Sequence, residues 1–108
     1  MDDNVNNFFK NISGNLKEEL TEVILEQGSV RIERIVSMGH ASPPGFWYDQ
    51  DRDEFVILLK GSAGLLFDGK DEISIMAPGD YVNIPARTRH RVEWTDKSVE
   101  TVWLAMYY

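Results

Sequence analysis

Two stretches of this chain bring together side chains able to do chemistry. The first is Trp47-Tyr48-Asp49-Gln50-Asp51-Arg52-Asp53-Glu54, a polar turn that runs into the apolar segment Phe55 to Leu59 and ends at Gly61. The second, Pro78 to His90, carries one of the two histidines of the chain. Alternate residues of a β-strand point to the same side. Neighbouring strands that begin at Glu54 and His90 therefore bring a carboxylate and an imidazole together. That donor pair suits a first-row divalent ion such as Mn, Fe, Ni or Zn. Gln50 adds an amide oxygen and Tyr48 a phenol. The expected metal set is Gln50, Glu54 and His90, with Tyr48 and Trp94 lining the pocket; Trp94 shares strand parity with His90.

The same residues have plainer readings. Glu54 can be a rim carboxylate bonded to Arg52 or Tyr48, since a buried charge needs a partner. His90 can be a packed histidine bonded to Glu54, and Gln50 and Asp49 can be surface turn residues. His40, ahead of Pro43-Pro44, reads as a loop or rim residue. Trp47 is a further pocket candidate, whereas Trp103 reads as core. Arg87, Arg89 and Arg91 are able to hold an anionic substrate, because guanidinium binds carboxylates bidentately. Cross-strand pairing of these arginines with Glu93 and other acids is the preferred reading.

The elements that must position these side chains are short strands. Leu20 to Glu26 and Val30 to Met38 are rich in β-branched residues and flank a turn at Gln27-Gly28. Gly39 to Gly45 is a loop, because its two prolines remove ladder donors. Glu54 to Leu59 has the length of a strand buried on both faces. Ser62 to Phe67 and Glu72 to Met76 flank Asp68-Gly69, a hairpin signal. Tyr81 to Ile84, His90 to Trp94 and Thr101 to Tyr108 complete the set. Eight or nine such strands, frequent turns and no long helix argue for an all-β sandwich or barrel. Residues 1–19 read as an arm packed through its aromatics, with Phe8, Phe9, Ile12 and Leu16 as apolar points and Gly14 breaking any helix. Residues 20–108 read as one domain.

Composition removes several function classes. The 108 residues include no cysteine, which excludes disulfides, thiolate metal sites and cysteine nucleophiles. A formal charge of −7 opposes nonspecific binding to nucleic acid or anionic membranes. The apolar runs fall far short of a membrane span. The start Met-Asp-Asp-Asn has neither the basic flank nor the apolar core of a signal peptide. A cytoplasmic protein with no nucleic-acid or membrane partner is expected. Asn11-Ile12-Ser13 matches a glycosylation acceptor that matters only in a secreted chain.

Over residues 29 to 107 the chain resembles the cupin family. In Glu54-x6-Gly61 it keeps the second half of the first cupin motif. In Gly79-x5-Pro85, with His90 five residues beyond Pro85, it keeps most of the second motif. The family's His-x-His pair is missing. Counting three residues back from Glu54 puts Tyr48 and Gln50 at those positions; counting four puts Trp47 and Asp49 there. Arg87 stands at a family glycine and Trp94 at a family asparagine. The resemblance implies a double-stranded β-helix, or jelly-roll, barrel. It also implies a divalent metal and a small polar ligand in the barrel, with a metal-dependent dioxygenase or an isomerase as the enzyme classes. The alternatives are a non-catalytic small-molecule-binding or sensory module without metal, and a metal-free isomerase using His90 as base and Tyr48 as acid. Phe55, Ile57 and Leu59 take the opposite parity from Glu54 and need cover from the N-terminal strands, a partner chain or both. Small cupins commonly pair across such a face, so the resemblance also implies a homodimer.

Overall fold

The computed structural model describes residues 5–12 and 17–108. Ser13, Gly14 and Leu16 of the expected arm lie outside the described residues. Eight strands follow in chain order: β1 Leu20–Gln27, β2 Val30–Ser37, β3 Glu54–Lys60, β4 Ala63–Phe67, β5 Ser74–Met76, β6 Tyr81–Ile84, β7 His90–Thr95 and β8 Thr101–Tyr107. They form a five-stranded sheet in the order β1-β2-β8-β3-β6 and a three-stranded sheet in the order β5-β4-β7. All pairings are antiparallel. The all-β jelly-roll architecture expected from the sequence is the one observed. Among the described residues, no helix is long and apolar enough to cross a membrane.

Side-chain alternation sorts each strand between the barrel interior and its outer surface. On β3, Glu54, Val56 and Leu58 are buried, while Phe55, Ile57 and Leu59 are half-buried on the outside. The run is therefore not buried on both faces, as its composition suggested. The N-terminal strands extend the same sheet sideways beyond β8 and do not cover the outer row. Inside, Val56, Leu58, Leu65, Ile84 and Trp103 make up most of the core. The arm is held by a cation. The buried Arg34 guanidinium donates to the carbonyls of Phe8 and Lys10 at 3.1 and 2.7 Å and pairs with Glu22, while Phe9 stays exposed.

One irregularity redirects a predicted pocket residue. The β4–β7 ladder shifts register between Gly64 and Leu65: Gly64 lies opposite Trp94, but Leu65 lies opposite Val92. Glu93 is the extra residue of a β-bulge, and it reverses the parity beyond it. Trp94 consequently lies over Gly64 beside Ile73 and is not among the cavity-lining residues. Val92 takes the inward position instead.

Gly61, the glycine that ends the first motif, has φ +86°, and a Cβ there would come within 2.7 Å of Thr101 Cα and 2.8 Å of the Glu100 carbonyl. Left-handed backbone costs a residue with a Cβ about 1–2 kcal/mol, and overpacking adds about 1–3 kcal/mol. Gly61→Ala is expected to lower the unfolding free energy by at least about 2 kcal/mol in urea melts; an unchanged midpoint would show that the β3–β4 turn does not need glycine.

Candidate functional site

Register across the larger sheet decides which side chains meet inside the barrel. Glu54 lies opposite Tyr107 on β8 and Ile84 on β6, and Tyr107 lies opposite Arg31 on β2. In the next inward row Ala105 separates Glu33 from Val56, and in the row beyond Trp103 separates Ile35 from Leu58. The small Ala105 side chain leaves room between larger neighbours. A cavity of about 200 Å³ opens over these rows. Its apolar floor includes Val56, Leu65, Ile84, Val92 and Trp103, and its polar groups include Glu19, Glu33, Gln50, Glu54, His90 and the phenols of Tyr48 and Tyr107.

The segment before β3 is fastened along β7 and so carries its residues to the cavity. Tyr48 and His90 exchange backbone hydrogen bonds of 2.7 and 3.1 Å, and the Arg87 amide donates to the Gln50 carbonyl at 2.7 Å. Arg87 adopts φ +64° to do so, the conformation that glycine takes more readily, at the position where the family motif has glycine. Arg91 donates to the carbonyls of Ser42, Pro43 and Phe46 at 3.0–3.1 Å and pairs with Glu93 at 2.8 Å. The Tyr48 ring then stacks on the His90 imidazole at 5.3 Å, and Phe46 meets Tyr48 edge-on at 4.9 Å.

Glu54 and His90 form the polar centre. Their side chains are 9% and 6% exposed, and Glu54 Oε1 stands 3.6 Å from His90 Nε2. That separation is beyond a hydrogen bond, and Oε1 has no other partner among the described residues. His90 Nδ1 lies 2.8 Å from the Thr88 carbonyl. Donation there leaves Nε2 facing Glu54 and the cavity.

The electrostatics follow from this packing. Burial acts most strongly on His90 and lowers its pKa, but Glu54 and the Thr88 carbonyl outweigh it, and the net shift is upward. Burial raises the Tyr48 phenol, assisted by the charges of Glu19 and Glu54. The Tyr107 phenol is driven well above its ordinary value by burial and then by Glu54. Both phenols are held protonated, as donors. Glu33 is raised by burial, with Arg31 opposing the shift.

The structure brings Tyr48, Gln50, Glu54 and His90 together on one cavity and leaves Trp94 outside it. Trp47 stacks with Arg89 and Arg91, centroid distances 5.5 and 5.8 Å, while Asp49 pairs with Arg87 at 3.4 Å; neither lines the cavity. The His40 ring is fixed between the Met38 amide and the Lys17 carbonyl at 2.9 and 3.1 Å, away from the cavity. Arg89 pairs with Asp68 at 3.5 Å, so all three arginines of the 87–91 cluster have acidic partners. Three cavity carboxylates or phenols, Glu19, Glu33 and Tyr107, were not singled out from sequence. The only signal for Glu33 and Tyr107 is the register of β8 against β2 and β3, and Glu19 sits just ahead of β1, where no local motif announces it.

Comparison with known proteins places this geometry. The cupin-domain family model matches residues 35–107. The chain belongs to the cupin family. It is similar to a solved Ralstonia eutropha protein, provisionally named a mannose-6-phosphate isomerase, with 45% identity, 95% of each chain covered and a TM-score of 0.92. A cupin superfamily protein of Desulfitobacterium hafniense is 20% identical over 89% of this chain and 82% of its own, with a TM-score of 0.72. A Methanocaldococcus jannaschii cupin with a double-stranded β-helix fold is 17% identical over 89% and 84%, with a TM-score of 0.69. These two share the fold alone. No curated protein matches the chain. Of the two residue pairs at the histidine spacing of the first motif, Tyr48 and Gln50 line the cavity and Trp47 and Asp49 do not.

The His90 shift has a stability signature. The folded chain holds the imidazole proton more tightly than the unfolded one. The stabilisation is complete below the ordinary value of 6.5 and is lost as pH rises through the higher folded value. NMR titration is expected to place His90 above 6.5 in the native protein and below it in Glu54→Gln, where burial prevails. Denaturant midpoints of the native protein should lose, relative to Glu54→Gln, this extra stability as pH rises above 6.5. A His90 pKa unmoved by Glu54→Gln would show that the two groups are uncoupled.

Proposed function

We propose that this cupin binds a small polar molecule inside the barrel, with Glu54 and His90 as the polar centre that holds it. The observation that carries the reading is Glu54 Oε1: buried, on a side chain that lines the cavity, and without a hydrogen-bond partner among the described residues. An unsatisfied buried acceptor is costly, and a bound donor removes that cost. Tyr48 and Tyr107 add phenolic donors, Gln50 an amide, and the apolar floor excludes water from the ligand's other side.

An isomerase reaction draws support from the provisional name of the Ralstonia protein. Such a reaction moves a proton between neighbouring atoms of the substrate. In this reading His90 Nε2 takes that proton and Tyr48, its phenol held protonated, returns one.

A divalent ion is the second reading, favoured by the open separation of two strong donors, Oε1 and Nε2, at 3.6 Å. Both can lie about 2.1 Å from a single ion. Among the described residues, however, no three His, Cys, Asp or Glu side chains converge. Zinc sites use three or four protein ligands, and the two protonated phenols add none. The donors therefore fit a weakly held, exchangeable ion on Glu54, His90 and Gln50. When bound, it supplies Lewis acidity to an oxygen of the ligand.

Native mass spectrometry of protein purified without tag or chelator tests both readings. A small molecule retained by the native protein and lost from Glu54→Gln/His90→Gln is expected. If calorimetry finds tight uptake of Mn, Ni or Zn that Glu54→Ala/His90→Ala abolishes, the metal reading replaces the direct one.

We further propose a homodimer. Ile32, Phe55, Ile57, Leu104 and Met106 are half-buried neighbours on the outer face of the larger sheet, with exposed Tyr81 beside them. A second copy would cover this apolar row. Light scattering should give twice the chain mass for the native protein and one chain mass for Ile57→Glu/Leu104→Glu. A monomeric native protein would refute the pairing.

A further inference from the structure

Carboxylates outnumber cationic side chains on the cavity wall among the described residues. Glu19, Glu33 and Glu54 line it, and among the described residues no arginine or lysine does. Arg31 reaches Glu33 at 3.0 Å from outside the lining and lies over the Tyr107 ring. Glu54 has only the imidazole of His90 beside it, and Glu19 accepts from the Ser37 hydroxyl. The arginines nearest the mouth are engaged elsewhere: Arg87 with Asp49, Arg89 with Asp68, Arg91 with Glu93 and three loop carbonyls.

Two further observations point to a ligand. The Glu54 side chain is more than nine-tenths buried and belongs to the cavity lining, yet its Oε1 has no hydrogen-bond partner among the described residues. The rest of the lining is largely apolar, with Val56 and Ile84 beside Glu54 on its own sheet, Leu65 and Val92 from the smaller sheet, and the aromatic Trp103. A cationic nitrogen is favoured by a carboxylate and by aromatic faces alike. An anion there meets carboxylates in a low dielectric with no guanidinium to receive it.

We infer that the cavity takes a small protonated amine with an apolar body, and that it rejects carboxylate and phosphate ligands. The nitrogen sits on Glu54 and the body lies against Val56, Leu65, Val92 and Trp103. The inference rests on the reading that Glu54 and His90 hold a small molecule directly, and it narrows the class of that molecule. It also separates this chain from the phosphosugar named for its Ralstonia relative, since among the described residues a phosphate dianion finds no arginine or lysine on the cavity wall and the one imidazole there is already beside Glu54.

Three probes of one size isolate the charge: benzylamine, benzyl alcohol and benzoate, with mannose 6-phosphate as a fourth. Chelator-treated protein is titrated with each, reading calorimetric affinity and the His90 ring resonances. Benzylamine is expected to bind at least about tenfold more tightly than benzyl alcohol, the least that a charge-assisted hydrogen bond provides. Benzoate and mannose 6-phosphate should not bind. Glu54→Gln, its fold checked by amide dispersion, should bring benzylamine down to the affinity of benzyl alcohol. Tighter binding of either anion, equal binding of the three probes, or no benzylamine binding at millimolar concentration overturns the inference. If uncharged or anionic probes shift the His90 resonances without a preference for the amine, the ligand site stands and only its amine class falls. If all four are silent, the amine class falls and the ligand site rests on the mass spectrum alone.

Discussion

The register of β8 between β2 and β3 is the constraint on which the rest of the structure depends. It lays Tyr107 between Arg31 and Glu54, Ala105 between Glu33 and Val56, and Trp103 between Ile35 and Leu58. Large side chains at both ends of the column and a methyl in the middle leave space where Glu33 and Glu54 project. A slip of β8 by one residue would turn Tyr107, Ala105 and Trp103 to the outer face. Cavity, buried carboxylates and core floor are thus products of one pairing. The apolar row Phe55, Ile57, Leu104 and Met106 on the opposite face is the other product of that alternation.

Burying Glu54 beside His90 couples the two groups and fixes their orientation. The Thr88 carbonyl takes the Nδ1 proton, so the imidazole cannot turn its other nitrogen away from Glu54 without losing that bond. Tyr48 stacks on the ring from the side of the incoming loop, and the loop itself is held to β7 by paired backbone bonds and by Arg91. Each support is backbone-based or buried, which is what a site needs if its donors are to stay in place without a ligand. The left-handed conformation of Arg87 is part of the same fastening, since its amide reaches the carbonyl of Gln50.

Much of this was legible in the sequence, and the exceptions share one cause. Strand positions followed from β-branched runs between turn residues, and the inward parity of Glu54 and His90 followed from strand alternation. Trp94 was misplaced because the same alternation was carried past Glu93, where the bulge breaks it. The outer row of β3 was expected to be covered by the N-terminal strands, a partner chain or both; the N-terminal strands add to the sheet's edge instead, which leaves the partner chain. Glu33 and Tyr107 went unnoticed because they join the site through pairing between distant strands, and Glu19 because it stands ahead of the first strand in the arm. Local pattern reports which way a side chain points relative to its neighbours; it does not report which strand lies alongside.

The cupin barrel and the chemistry within it are separable, and the substitutions in this chain show how. Replacing two imidazoles by a phenol and an amide leaves the strands their length and the positions their direction, so the fold is unaffected. The electrostatic character of the cavity changes more. Histidines are nitrogen donors that also accept a proton, and they balance nearby carboxylates; a protonated phenol and an amide do neither. Glu19, Glu33 and Glu54 remain on the wall, with Arg31 beside Glu33 and only the His90 imidazole beside Glu54. In the amine reading, the further positive charge that meets Glu54 comes with the ligand. A high-affinity ion needs more strong donors than Glu54, His90 and Gln50 supply. An organic cation needs only one carboxylate and an apolar wall, both of which are already in place.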